Sequence, residues 1–259
     1  MRIVLIGAGN LATQLGLSLA EAGHEMAQVW SRSMESAAAL ADLVGGAAVT
    51  DLGQIETGAD VYILAVRDAA LPEIIPLLCQ GREKGGVVVH TAGSVPMEIF
   101  EGLARHYGVC YPLQTFSKSR RVNFKEIPCF IEGNDDYAIS ELKRLCASLS
   151  DHVSYLASAD RRYLHLSAVF ACNFVNHCYD IASDILSAHQ LPFDVLLPLI
   201  DETARKVHTL TPQAAQTGPA MRYDKQVIQA QAALLADMPQ VRDLYERLSR
   251  NIHRNAIRG

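Results

Sequence analysis

Gly7 and Gly9 stand just after a short apolar run, Arg2–Ile6, with Asn10, Leu11 and Ala12 opening a helical pattern behind them. A strand entering a helix through Gly-x-Gly can cradle a pyrophosphate. The first glycine permits the tight turn, the second leaves room for phosphate to approach the backbone, and a small residue such as Ala12 seats the helix on a sheet. Asn10 and Leu11, in the first helical turn, would offer that phosphate unpaired N–H groups and a positive helix end. The same turn could also serve packing alone.

The exit of the second apolar run decides which dinucleotide such a turn suits. An NAD site places a carboxylate there for the ribose 2′-OH. Here Trp30 is followed by Ser31-Arg32-Ser33, with no carboxylate before Glu35. Hydroxyls and a forked guanidinium suit a 2′-phosphate, so the reading favours NADP, with Ser31 and Arg32 as phosphate contacts and Ser33 as a helix cap. Ala65, Val66 and Arg67 close a further buried run, and Thr91 and Gly93 follow another. Strand exits of this kind line ligand clefts in open α/β sheets, so these five join the candidate cofactor site.

A second kind of chemistry lies downstream. His165, Asn173 and Asn176 occur among Leu, Val, Phe and Cys in one long helical stretch. At about 100° per residue, His165 and Asn176 fall on nearly the same face, with Ala168 and Cys172 leaving space beside them. Histidine titrates near neutrality, and a hydride moved to a carbonyl or imine must be matched by a proton, so His165 is the leading proton donor or acceptor. Asn173 and Asn176 could orient a carbonyl oxygen or an amide. All three could instead bond helix to helix in a core. His177, Asp180 and Asp184 have ligand-like spacing, yet no further His or Cys cluster completes a set, and no metal is expected. Arg222 and Asp224 follow a Gly-Pro turn and read either as a substrate clamp or as an ordinary ion pair and cap.

Eight short apolar runs must position these groups: 2–6, 24–30, 47–49, 60–66, 86–90, 107–112, 127–133 and 152–155. Helical patterns separate most of them. The reading is α/β, a doubly wound, mostly parallel Rossmann-like sheet over residues 1–156, followed by an all-α substrate and dimerisation domain over 157–259. Asp68 is expected to cap a helix running to Cys79, Pro96 to open one running to Leu103, and Ser158 or Asp160 to cap the long helix. That helix runs from Arg161 to His189, roughly 44 Å at 1.5 Å per residue, enough to link two domains or meet a second subunit. The last helix starts at Pro239 and is expected to fray beyond Ile252.

Composition excludes several classes. With 259 residues, 49% of them hydrophobic, the chain can bury two cores. A net charge of −5 without a dominant basic run argues against nucleic acid as a main partner. No apolar stretch is long enough to span a bilayer, so no membrane association and a cytoplasmic location are expected. Six cysteines without a CxxC pair suggest buried thiols rather than disulfides.

Gly7-Ala8-Gly9-Asn10-Leu11-Ala12 and Trp30-Ser31-Arg32-Ser33 resemble the corresponding turns of pyrroline-5-carboxylate reductase and deazaflavin-dependent NADP reductases. His90-Thr91-Ala92-Gly93-Ser94, Tyr111-Pro112-Leu113-Gln114-Thr115-Phe116, Phe170 through His177 and Thr217-Gly218-Pro219 extend the likeness over nearly the whole chain. The sequence is thus similar to the 6-phosphogluconate dehydrogenase-like superfamily. That resemblance implies NADP binding, a long helix linking the domains, and a homodimer built through helical segments. Related hydroxyacid dehydrogenases carry a Lys followed four residues later by Asn on this helix; here His165 is followed by Val169, and no Lys occurs between residues 144 and 205. Two functions are therefore expected. One is an NADP-dependent oxidoreductase of a small carbonyl or imine, with His165 managing the proton. The other is a non-catalytic NADP-binding sensor or scaffold.

Overall fold

The computed structural model describes residues 1–80 and 85–257. All eight expected strands form: β1 (Arg2–Ile6), β2 (Glu25–Trp30), β3 (Ala47–Val49), β4 (Val61–Leu64), β5 (Val87–His90), β6 (Tyr107–Pro112), β7 (Cys129–Gly133) and β8 (Val153–Tyr155). They make one sheet of order β3-β2-β1-β4-β5-β6-β7-β8. Every neighbouring pair is parallel except β6 with β7. Residues of β1, β4 and β5 are buried on both faces, which is why these strands read as unbroken apolar runs. The order reverses between β1 and β4, and that switch point opens a crevice at the strand exits.

Helices α1 (Asn10–Glu21), α2 (Met34–Val44), α3 (Leu71–Cys79) and α4 (Asp136–Leu149) cover the sheet. Leu15, Leu19, Leu40, Leu142 and Leu145 pack with Ile3, Leu5 and Ile63 on one face, while Leu71, Ile75 and Leu78 pack with Val4, Ile6 and Tyr62 on the other. Ser33 and Asp135 cap α2 and α4 through their side chains.

Three local expectations are overturned. Asp68 does not cap α3, because its carboxylate accepts instead from Ser94 Oγ at 2.5 Å. Residues after Pro96 make only a 3-10 turn, Met97–Phe100, since Phe100 is drawn wholly into the core beside His90. Neither Ser158 nor Asp160 caps the long helix; both lie inside its first turn, and Ser158 is bound to Glu132.

The long helical run comprises α5 (Ser158–Ala168), a π-turn (Val169–Phe174) and α6 (Val175–Ala188). The chain divides into two compact units, Met1–Asn173 and Phe174–Gly259. The first thus continues through α5 and does not stop at residue 156, because Arg161 on α5 forms a buried ion pair with Glu132 of β7. The second unit holds α6, α7 (Leu197–Lys206), the single turns α8 (Pro212–Ala215) and α9 (Pro219–Arg222), α10 (Lys225–Ala233) and α11 (Pro239–Ala256). Asp224 caps α10 as expected, its carboxylate accepting from Val227 N. Helix α11 does not fray at Ile252 but continues to Ala256, with residues 258 and 259 outside the described part. Among the described residues no helix is long and apolar enough to cross a membrane.

Candidate functional site

Along the strand exits of the first unit, the switch-point crevice forms a hollow of about 280 Å³. Gly7, Ala8 and Gly9 form one wall, Ser31 and Arg32 another, and Ala65, Val66 and Arg67 a third. The two glycines do different jobs. Gly7 has φ +127°, and a Cβ there would stand 2.3 Å from the carbonyl oxygen of Ala65, so it is fixed by packing of β1 against β4. A Cβ on Gly9 would meet nothing within 4 Å, so that glycine borders open space at the N-terminus of α1. Asn10 and Leu11 form the first turn of that helix, Asn10 exposed and Leu11 packed toward the core.

At the exit of β2, Trp30 is buried and donates from Nε1 to the carbonyl of Thr50 at 2.9 Å, fixing the chain where Ser31 and Arg32 leave the sheet. Ser36 lines the hollow too and was not among the sequence candidates. Its signal was available, since a residue three positions beyond the Ser33 cap returns to the helix N-terminus. Arg32 and Arg67 give the hollow two guanidiniums, the charge expected of a site for phosphates. These residues therefore fit a phosphorylated dinucleotide: a cradle with an open Gly9, a helix N-terminus, hydroxyls and two cations.

Farther along the same edge, Thr91 is buried and donates through Oγ1 to the Leu64 carbonyl at 3.3 Å, stitching β5 to β4 and offering little to a ligand. His90 is wholly buried. Its Nδ1 accepts from Ala92 N at 3.1 Å, and burial lowers its pKa to about 4, so it remains a neutral structural ring. Gly93 is covered by a ring: a Cβ there would stand 2.5 Å from Nδ1 of His165.

His165 is held on α5 by an anchor one turn earlier. Arg161 Nη1 donates to Glu132 Oε2 at 2.6 Å and Nη2 to the Val95 carbonyl at 2.6 Å, while Ser158 N donates to Glu132 Oε1 at 2.7 Å. Both partners of this pair are almost fully buried. It ties β7, the loop after β5 and the start of α5 into one unit. Positions 161 and 165 share a helix face, so the anchor sets where the imidazole sits. Sequence reasoning missed Arg161 and Glu132, although a lone carboxylate inside the apolar run 127–133 was the visible sign.

The imidazole also meets Tyr111 at the end of β6, Oη to Nδ1 at 2.9 Å, with the rings edge to face. Burial raises the pKa of Tyr111, opposed in part by the charge of Arg161, so the phenol keeps its proton. Beside this pair lies a hollow of about 550 Å³, lined by Leu113, Gln114 and Thr115 from the β6 exit and by Leu164, Ala168, Cys172 and Asn173 from the helix.

Asn173, but not Asn176, shares that hollow with His165. The π-turn at 169–174 adds about one residue to the helix and rotates the residues beyond it by about 100°, which breaks the eleven-residue face predicted from α-helical spacing. Asn176 is exposed and belongs to the second unit. There too, His177 and Asp180 are exposed and 3.8 Å apart, and no metal-binding cluster occurs among the described residues.

Comparison with solved structures places this geometry. The candidate NADP oxidoreductase BF3122 from Bacteroides fragilis is 50% identical to this chain over 98% of both proteins, with a TM-score of 0.94. This chain belongs to the NADP oxidoreductase superfamily. Residues 2–93 match the family described as NADP oxidoreductase coenzyme F420-dependent, and residues 127–252 match a domain of unknown function (DUF2520). Two more distant structures share the fold. An imine reductase from Myxococcus stipitatus in complex with NADP+ is 15% identical, with a TM-score of 0.68 over 100% of this chain and 94% of that one. A 1-pyrroline-5-carboxylate reductase from Streptococcus pyogenes is 11% identical, with a TM-score of 0.64 over 98% of each. A search of curated proteins found no match.

Proposed function

We propose that this chain is an NADP-dependent oxidoreductase acting on a small carbonyl or imine, and that it works as a homodimer. The observation that carries the reading is the order of groups along one sheet edge. The open Gly9 cradle and the Ser31-Arg32 exit lie at β1 and β2, and the Tyr111–His165 pair lies at β6, across β4 and β5. Strands β1 and β6 are three spacings apart, about 14 Å at about 4.8 Å each. Diphosphate over β1 thus directs the rest of a dinucleotide toward the imidazole.

Gly9, Asn10 and Leu11 would hold the diphosphate, and Ser31, Arg32 and Ser36 the 2′-phosphate, with Ala65, Val66 and Arg67 against the adenosine side. Bound NADPH would supply the hydride. His165 gives a proton to the carbonyl oxygen or imine nitrogen, a role open to an imidazole at neutral pH. Asn173 orients the substrate from the same helical wall, two turns beyond His165. BF3122 carries the oxidoreductase name over an equally long chain, and the imine reductase holds NADP+ on the same fold, which supports the assignment.

The second unit supports the dimer. Its only buried apolar residues among those described are Ala232 and Leu235, while Val195, Leu197, Leu199, Val207 and Leu210 are exposed. Helices that bury so little of their own apolar surface are completed by another surface, here a second copy. Six cysteines that form no disulfide with one another, and an NADPH-driven reaction, fit a cytoplasmic site of action.

Assay of NADPH oxidation against a panel of small ketones, keto acids and cyclic imines tests the function. Turnover should appear with one of these classes and fall about 10²–10⁴-fold in His165→Ala, with NADPH binding retained. Equal turnover in that variant would remove His165 from the chemistry.

A further inference from the structure

We propose that Tyr111 is the positioning residue of His165, holding the neutral imidazole in the tautomer whose proton sits on Nε2. The role of that proton in turnover rests on the proposed reductase activity; the tautomer itself does not.

The geometry is specific. Oη of Tyr111 lies 2.9 Å from Nδ1, while Nε2 has no hydrogen-bond partner among the described residues. Gly93 presses on the Nδ1 edge of the same ring, where even a methyl group would come within 2.5 Å of Nδ1 and 2.6 Å of Cγ. The ring is therefore held at Nδ1 from two sides, by a hydroxyl and by the glycine backbone. Nε2 is left for a ligand in the adjoining hollow.

A phenol donates more readily than it accepts, and a neutral imidazole has one accepting nitrogen. Tyr111 therefore donates to Nδ1, and the ring's own proton stays on Nε2, since the hydrogen bond at one nitrogen selects the tautomer at the other. When His165 is protonated, Nδ1–H donates back to the lone pairs of Tyr111 Oη, so the same contact serves both charge states. Nε2–H can then donate to a carbonyl oxygen or imine nitrogen. When its proton follows a hydride onto that atom, the imidazolium becomes neutral and for that moment carries its one proton on Nδ1, where Tyr111 Oη accepts it. Solvent then reprotonates Nε2, and loss of the Nδ1 proton to solvent restores the resting neutral ring, protonated on Nε2 with Tyr111 donating to Nδ1.

The test is a long-range proton–nitrogen correlation spectrum of the full chain, cofactor-free, with nitrogen-labelled histidine. The His165 signals are assigned by their loss in His165→Gln. In the wild type with its ring neutral, Nδ1 should show the shift of an unprotonated, hydrogen-bonded nitrogen and Nε2 that of a protonated one. In Tyr111→Phe the Nδ1 resonance should move to the position of a free acceptor, and an Nδ1–H population should appear. Gly93→Ala, which pushes the ring off the hydroxyl without touching Tyr111, should shift the same resonance and covers the case in which the phenylalanine variant misfolds. A wild-type ring protonated on Nδ1, or an Nδ1 resonance unmoved in both variants, overturns the proposal. Once turnover is in hand, Tyr111→Phe should lower kcat about tenfold at unchanged KM for NADPH, a split that loose packing alone would not give. Unchanged kcat would likewise overturn it. Absence of turnover would refute the reductase reading while leaving the spectra to decide the tautomer.

Discussion

Single residues divide the candidate site into parts that fold it and parts left for a ligand. Gly7 and Gly9 are two positions apart in one motif, yet only Gly7 is locked by its positive φ and the Ala65 carbonyl. Gly7→Ala should cost about 2–4 kcal/mol in urea unfolding, from left-handed strain plus overpacking. Gly9→Ala should leave the unfolding midpoint within about 0.5 kcal/mol and still weaken NADPH, since its methyl group occupies ligand space. Equal stability losses at both positions would contradict that division. His90 separates structure from chemistry in another way. Burial holds its pKa near 4 against 6.5 for an unperturbed ring, so the folded state binds fewer protons than the unfolded one between those values. Stability should therefore be full above about pH 6.5 and decline as pH falls toward 4, by up to about 3 kcal/mol. His90→Phe should flatten that slope in denaturation curves measured at pH 7 and pH 5.

Elements place those residues, and the decisive join is between β7 and α5. Arg161 and Glu132 are buried together, with Ser158 and the Val95 carbonyl completing the cluster, although Arg161 Nε has no hydrogen-bond partner among the described residues. Arg161→Met leaves Glu132 charged and buried and should cost about 3–5 kcal/mol, whereas Arg161→Met with Glu132→Leu should recover most of it. Chemical denaturation of the three proteins checks this, and an Arg161→Met variant as stable as the wild type would remove the anchor. Strands were legible in the sequence because β1, β4 and β5 are buried on both faces, and burial writes unbroken apolar runs. The caps at Ser33 and Asp224 were equally local. What the sequence hid was long-range: Ser158 and Asp68, good caps by type, were claimed by Glu132 and Ser94. The π-turn left no mark in composition, and it was this turn that put Asn173 in place of Asn176 beside His165. Tyr111 was visible only as a strand residue until the fold brought it to the imidazole.

The two units differ in how each is held together. The first has cores on both faces of its sheet, and the second leaves Val195 and Leu199 about 60% exposed. Sedimentation should find a dimer at micromolar concentration, and Val195→Asp with Leu199→Asp should shift it toward monomer; a monomeric wild type would contradict the completion of that unit by a second copy. NADP is proposed to bind the cleft at Gly9, Ser31 and Arg32, and titration calorimetry with cofactor-stripped protein measures that binding. The wild type should bind NADPH more tightly than NADH, and Arg32→Asp should lose about 1.5–3 kcal/mol for NADPH, roughly ten- to hundredfold, while NADH changes little. Failure of the wild type to bind either coenzyme would contradict the account.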